Sequence, residues 1–141
     1  MTPAGERRAL QIAIAIGGLV PVTAGLAGVL LGPSVFEPGA GGVSLDSHVR
    51  YLSGLLLGIG LVFWSFIPRI ESVTGTVRIL TLIIFIGGLA RLLALALHGV
   101  PSPGMVFGLV MELVVTPLLC VWQGRIARIA GPTHASNPIR Q

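Results

Sequence analysis

TVRILTLIIFIGGLARLLALALHGVPSPGMVFGLVMELVVTPLLCVWQGR, residues 76–125, holds two apolar runs, Val77–Leu97 and Met105–Trp122. They are joined by a turn from His98 to Gly104 whose prolines and glycines break any helix. Each run is close to the roughly 20 residues that cross a bilayer as a helix. Each also carries one charge well inside it, Arg91 in the first and Glu112 in the second. Charges at that depth are costly, so they are rare and are either paired or functional. Arg91 lies seven residues before His98, and Glu112 eight residues after Gly104. At 1.5 Å of rise per residue both sit roughly 10–13 Å below the turn. An antiparallel hairpin therefore brings opposite charges to one level, and a salt bridge of roughly 4 Å or less is expected.

The rest of the chain has the same character. Of 141 residues, 53% are hydrophobic and 10% charged, which excludes an ordinary soluble domain. The length allows about four spans. The net charge is +4 and every basic residue is arginine. No basic face exists, so nucleic acid is not an expected partner; the lipid bilayer is. The lysine-free, Ala/Gly/Arg-rich composition points to a GC-rich bacterial genome. Cys120 is the only cysteine. Neither an intrachain disulfide nor a cysteine-built zinc site is possible, and a buried inert thiol is expected.

Residues 1–8 form a polar tail, and a first span is expected over residues 9–31. Val22-Thr-Ala24 resembles a signal-peptide cleavage site, but the apolar run is longer than a secretory leader needs. Gly18, Pro21, Gly25, Gly28 and Gly32 recur at helical spacing on one face, where small residues let another helix approach. Pro21 frees the Gly17 carbonyl, so a kink is expected near mid-span. The connection up to Ser47 is rich in proline and glycine, and Ser44 or Asp46 is the expected cap of a second span over residues 49–67. Tyr51, Gly54, Gly58, Leu61 and Ser65 share one of its faces, and Trp64 is placed as an interfacial anchor. Thr74 or Thr76 is the expected cap of the third span, residues 77–97. The fourth covers residues 105–122. On these two, Gly87, Arg91, Ala94 and His98 share a face, as do Gly108, Glu112 and Thr116. Pro117 frees the Leu113 carbonyl. Residues 123–141 are a polar tail with Arg140, poorly ordered beyond Gly131.

Arginine placement orients the chain. With both termini cytoplasmic, Arg7, Arg8, Arg69, Arg78, Arg125, Arg128 and Arg140 lie inside and only Arg50 outside, as a bacterial inner-membrane protein requires. Asp46, His48, Arg50, Tyr51 and Ser53 then stand at the outer mouth of the second span and His98 at that of the third, with Thr23 near the depth of the Arg91–Glu112 pair. The expectation is an outward-facing polar pocket, floored by that pair, that takes a small anionic or amphipathic molecule. An arginine there can grip a carboxylate or phosphate with two bonds. The plainer alternative is a structural protein in which the pair only fixes helix packing. A membrane enzyme with His98 or Glu112 as acid or base is a weaker third reading.

No cofactor is expected. Haem ligands in bundles lie inside spans at matched depth, and here the histidines sit at span ends, where interfacial placement explains them. Asp46-x-His48 with His98 is too small a set for a metal. No phosphate loop, dinucleotide fingerprint or hydrolase motif occurs. An exporter that cycles a proton on one lone membrane glutamate is disfavoured, because Arg91 occupies that glutamate. The glycine faces also allow a homo-oligomer.

Three segments, Asp46-Ser-His-Val-Arg-Tyr-Leu-Ser-Gly54, Gly87-Gly-Leu-Ala-Arg-Leu92 and Met111-Glu-Leu-Val114, together resemble a family of small bacterial four-helix membrane proteins known only as a domain of unknown function. The resemblance runs from the first span to about Trp122. It implies four spans and brings no catalytic residue.

Overall fold

The computed structural model describes residues 2–131. Four helices account for nearly all of them: α1 (Pro3–Leu31), α2 (Val43–Phe66), α3 (Thr74–His98) and α4 (Pro103–Ala130). All four are long and apolar enough to cross a membrane. They form two antiparallel hairpins, α1–α2 and α3–α4. The end that carries the start of α1, the α2–α3 connection and the end of α4 is the closed end; the other is the open end. The tail beyond Gly131, with Arg140, lies outside the described residues.

Helix boundaries depart from the apolar runs for identifiable reasons. α1 takes in the polar residues before Ala9, because Thr2 Oγ1 accepts from the Gly5 N–H and both Glu6 and Arg7 find partners on other elements. It runs through Pro21 as one continuous helix. α2 starts at Val43 rather than near Val49, so neither Ser44 nor Asp46 caps it; Gly42 does, without a side-chain bond. Asp46 lies inside the first turn and pairs with Arg50 one turn on, at 2.7 Å. α3 follows Val73 with no side-chain cap, so the threonine caps expected there do not form. It ends at Gly99, whose positive φ of 95° favours glycine, and the Gly99 N–H closes on the Leu95 carbonyl.

The α1–α2 seam confirms the glycine row on α1. A methyl on Gly25 would lie 2.6 Å from the Leu57 backbone nitrogen, and Gly18 faces the Trp64 ring, Gly28 the Ser53 side chain, and Gly32 the Asp46 carboxylate. Trp64 is therefore part of this seam. Its indole Nε1 donates to the Ala15 carbonyl at 3.1 Å. The α2 face that meets α1 is Ser53, Leu57, Gly60 and Trp64. It is displaced from the expected stripe of Tyr51, Gly54, Gly58, Leu61 and Ser65, all of which are exposed.

At the closed end Leu10, Ile14, Ile70, Val77 and Ile126 form the buried core, with Phe63, Leu119 and Trp122 against it. The short 3-10 turn Ile67–Ser72 is held by side chains from both sides. Gln11 donates to the Ile67 carbonyl, Arg7 to that of Pro68 and Gln123 to that of Ile70, each at 2.7 Å. Gln123, fully buried, also donates to Thr74 Oγ1 at 2.9 Å. Arg7–Glu71 at 3.0 Å and Arg125–Glu6 at 3.3 Å close the periphery. Towards the open end the α1–α2 hairpin no longer approaches α3–α4 closely, and large apolar side chains such as Ile16, Leu30, Leu93 and Leu118 face outward.

The seam makes opposite demands on two glycines. Gly25→Ala forces a methyl against backbone atoms of α2 and is expected to cost about 1–3 kcal/mol. Gly58→Ala meets nothing within 4 Å and should be neutral or gain about 0.5–1 kcal/mol. Thermal unfolding in detergent compares them; equal melting temperatures would rule out the seam.

Candidate functional site

The expected ion pair is present. Arg91 Nε donates to Glu112 Oε2 and Nη2 to Oε1, both at 3.0 Å, a two-bond fork between α3 and α4. Two local features make it possible. Gly88 lies one turn before Arg91, and a methyl there would sit 3.0 Å from Glu112 Cβ and 2.7 Å from Leu113 Cδ2. So Gly88, not the expected Gly87, lets the helices close beneath the pair. On α4, Met111–Val115 forms a π turn that contains Glu112. Pro117 accounts for it: lacking an N–H and crowding the Leu113 carbonyl, it stops the α pattern from continuing through this turn. The Thr116 N–H and hydroxyl both turn back to the Met111 carbonyl, the hydroxyl at 2.8 Å.

Between the hairpins lies a cavity of about 340 Å³. Its wall reaches from Val35, Phe36 and Met105 near the open end to Ile14, Thr81 and Cys120 near the core. From Arg91 to Thr81 on α3 is roughly 15 Å at helical rise. Among the described residues Arg91 and Glu112 are the only charged ones on the wall, which is otherwise mostly apolar. The Arg91 side chain is 31% exposed and that of Glu112 17%. Among the described residues Arg91 Nη1 meets only the Met105 sulfur, at 2.9 Å. A thioether is a weak acceptor, so this end of the guanidinium is poorly satisfied. Gly108 leaves its face open, since a methyl there would stand 4.0 Å from Cζ. The Thr81 hydroxyl is buried with no partner among the described residues.

The other expected site residues lie elsewhere. Arg50 is half-buried in the α1–α2 seam, where it pairs with Asp46 and donates to the Val29 and Leu30 carbonyls at the end of α1. That is a helix-end cap for α1, supplied from α2. Ser53 is buried in the same seam, and His48, Tyr51 and His98 are exposed. None of these lines the cavity. Thr23 is exposed and bonded back to the Leu19 carbonyl at 2.7 Å. The pocket is therefore an apolar cleft with one ion pair, not a polar mouth. Among the described residues no group of three or more metal-ligating side chains comes together.

Four apolar helices of spanning length, with their large apolar side chains turned outward, define a multi-pass helical membrane protein. Within that class, the chain belongs to the family described as domain of unknown function DUF4345, whose model matches residues 9–123. No curated protein and no solved structure matches the chain.

Sequence reasoning missed Gln11, Gln123, Gly88 and Met105. The two glutamines did carry a signal, since a carboxamide at the edge of an apolar run needs a partner. For the pair itself, Arg91→Leu or Glu112→Leu alone strands a charge and should cost about 3 kcal/mol, the low end for buried pairs because both groups keep some exposure. The double replacement should be close to wild type. Unfolding of all four proteins in detergent reads this; additive single losses would mean the pair is not coupled.

Proposed function

We propose that the protein resides in a bacterial inner membrane with both termini in the cytoplasm and holds a small amphipathic molecule in the cleft between its hairpins. Arg91 contacts the polar head, Glu112 holds Arg91 in place, and the apolar wall towards Thr81 and Cys120 receives the body. The observation that carries this reading is that Arg91 lines an apolar cavity of about 340 Å³ while its Nη1 has, among the described residues, only the thioether of Met105, another lining residue, for a partner. Pockets of this size and lining, with a few placed polar groups, suit small ligands. The π turn at Glu112 adds support, since such turns concentrate at functional sites.

The orientation is supported by arginine at the closed end. Arg7, Arg8, Arg69, Arg78, Arg125 and Arg128 lie there, against Arg50 alone at the open end. The cleft then faces the outer leaflet. A reporter active only outside the cytoplasm should be silent after Gln141 and active within Gly39–Gly42; activity after Gln141 would reverse the topology.

One observation favours a second reading. The two-bond fork is neutral and complete between Arg91 and Glu112, as a pair that only sets the register of α3 and α4 would be. Cys120, the only cysteine and a wall residue, separates the two. In nanodiscs, at least one of a neutral and an anionic decyl amphiphile should slow maleimide labelling of Cys120 several-fold in wild type. Arg91→Leu with Glu112→Leu should fold yet lose the protection. Labelling that no probe slows, or slows equally in the double variant, leaves the packing reading.

A further inference from the structure

We infer that the cleft selects an uncharged hydrogen-bond acceptor, a carbonyl, ester or hydroxyl oxygen on an apolar body, and refuses an anionic head. The inference rests on the binding reading above and names its ligand class. An intramembrane arginine invites the opposite expectation, a carboxylate or phosphate, and the geometry argues against it.

The guanidinium charge is already spent. Glu112 takes Nε and Nη2 in a fork at 3.0 Å, so the local charge is zero. An anion on the Nη1 side would share the guanidinium with the Glu112 carboxylate in an apolar surround. Among the described residues no second cation on the cavity wall offsets it, Arg91 being the only basic one there. Arg50 is engaged with Asp46 and the end of α1 in the other seam. Like charges brought together without compensation are a strong device for rejecting a partner.

What remains unspent is hydrogen-bonding capacity without charge. Nη1 meets the Met105 sulfur at 2.9 Å, a neutral and weak acceptor. That sulfur stands where a ligand oxygen would. An unbranched methionine yields its place readily, and a neutral oxygen there gains a charge-assisted bond without adding charge. Gly108 keeps the approach open, with a would-be methyl 4.0 Å from Cζ.

The test is a competition read by native mass spectrometry of the full chain released from detergent. Decan-2-one, decane-1-sulfonate and decane are offered at equal concentration. The sulfonate is chosen because it stays charged at neutral pH. Wild type should retain the ketone over the sulfonate by at least about tenfold, like-charge rejection being worth that much or more, and retain decane less than the ketone. Glu112→Gln keeps the shape and removes the competing charge, so the preference should turn to the sulfonate. Gly108→Leu fills the approach and should lower retention of every probe, which separates the cleft from the lipid-facing surface. Sulfonate retained as well as ketone in wild type overturns this inference and leaves the binding reading standing. An unaltered preference in folded Glu112→Gln also overturns it. Retention of no probe, or retention indifferent to Gly108→Leu, overturns both. If Glu112→Gln fails to fold, the wild-type competition decides alone.

Discussion

The structure depends on carbonyls that its own helices leave without a partner. Inside lipid, apolar side chains gain little by leaving lipid for one another, so apolar burial does not drive helices together. Backbone groups buried away from water without a partner, by contrast, are expensive. The 3-10 turn between α2 and α3 exposes three such groups, the carbonyls of Ile67, Pro68 and Ile70, and each receives a donor from α1 or α4. Gln11, Arg7 and Gln123 therefore lock both hairpins to one connection. Arg50 plays the same part at the other end, where it satisfies the Val29 and Leu30 carbonyls as α1 stops. The buried core is correspondingly small and lies around the first of these locks.

The shape of the molecule follows from where these locks lie. The hairpins are tied to each other at the closed end, and α1 approaches α4 closely only there. Within the first hairpin, glycine faces bring α1 and α2 together as far as Gly32. Within the second, α3 and α4 approach closely from the π turn downward and thinly above it. The cleft is what this arrangement leaves between the hairpins. Its one ion pair bridges α3 and α4 at the level where their packing begins to thin.

The four spans, the antiparallel hairpins and the Arg91–Glu112 pairing were legible in the sequence, because each follows from counting along one dimension. Run length gives spans, and helical rise gives matched depth. The α1 glycine row was legible too, since small residues at helical spacing have few uses in a membrane other than close approach. Faces on α2 and α3 were misjudged by one or two residues: Ser53 rather than Gly54, Gly60 rather than Gly58, Gly88 rather than Gly87. One residue is about 100° on a helix, and glycines that are adjacent or nearly so leave a sequence without the means to choose. Arg50 and Asp46 were assigned to an open mouth because depth was counted and angular direction was not. The π turn lay beyond reach for another reason. Pro117 announced a lost bond at Leu113 but not whether the helix would kink or widen; it widens, and the Thr116 hydroxyl bonds to the Met111 carbonyl.

That widening bears on the chemistry. A π turn changes the direction of the side chains within it relative to those beyond it. Gly108 and Thr116 flank Glu112 four residues to either side, and in an uninterrupted α-helix all three would share one face. The π turn spans Met111–Val115, and within it Glu112 reaches the Arg91 fork while Met111 stays on the cavity wall. Met105, about two turns before Glu112 on the same helix, reaches the far side of the same guanidinium. So α4 alone supplies both neighbours of Arg91, the carboxylate that neutralises it and the thioether that only shields it. An arginine paired on both sides by strong acceptors would be structural and closed. One neutralised on one side and merely covered on the other keeps its geometry fixed while leaving donors in reserve, on a residue that lines the cleft.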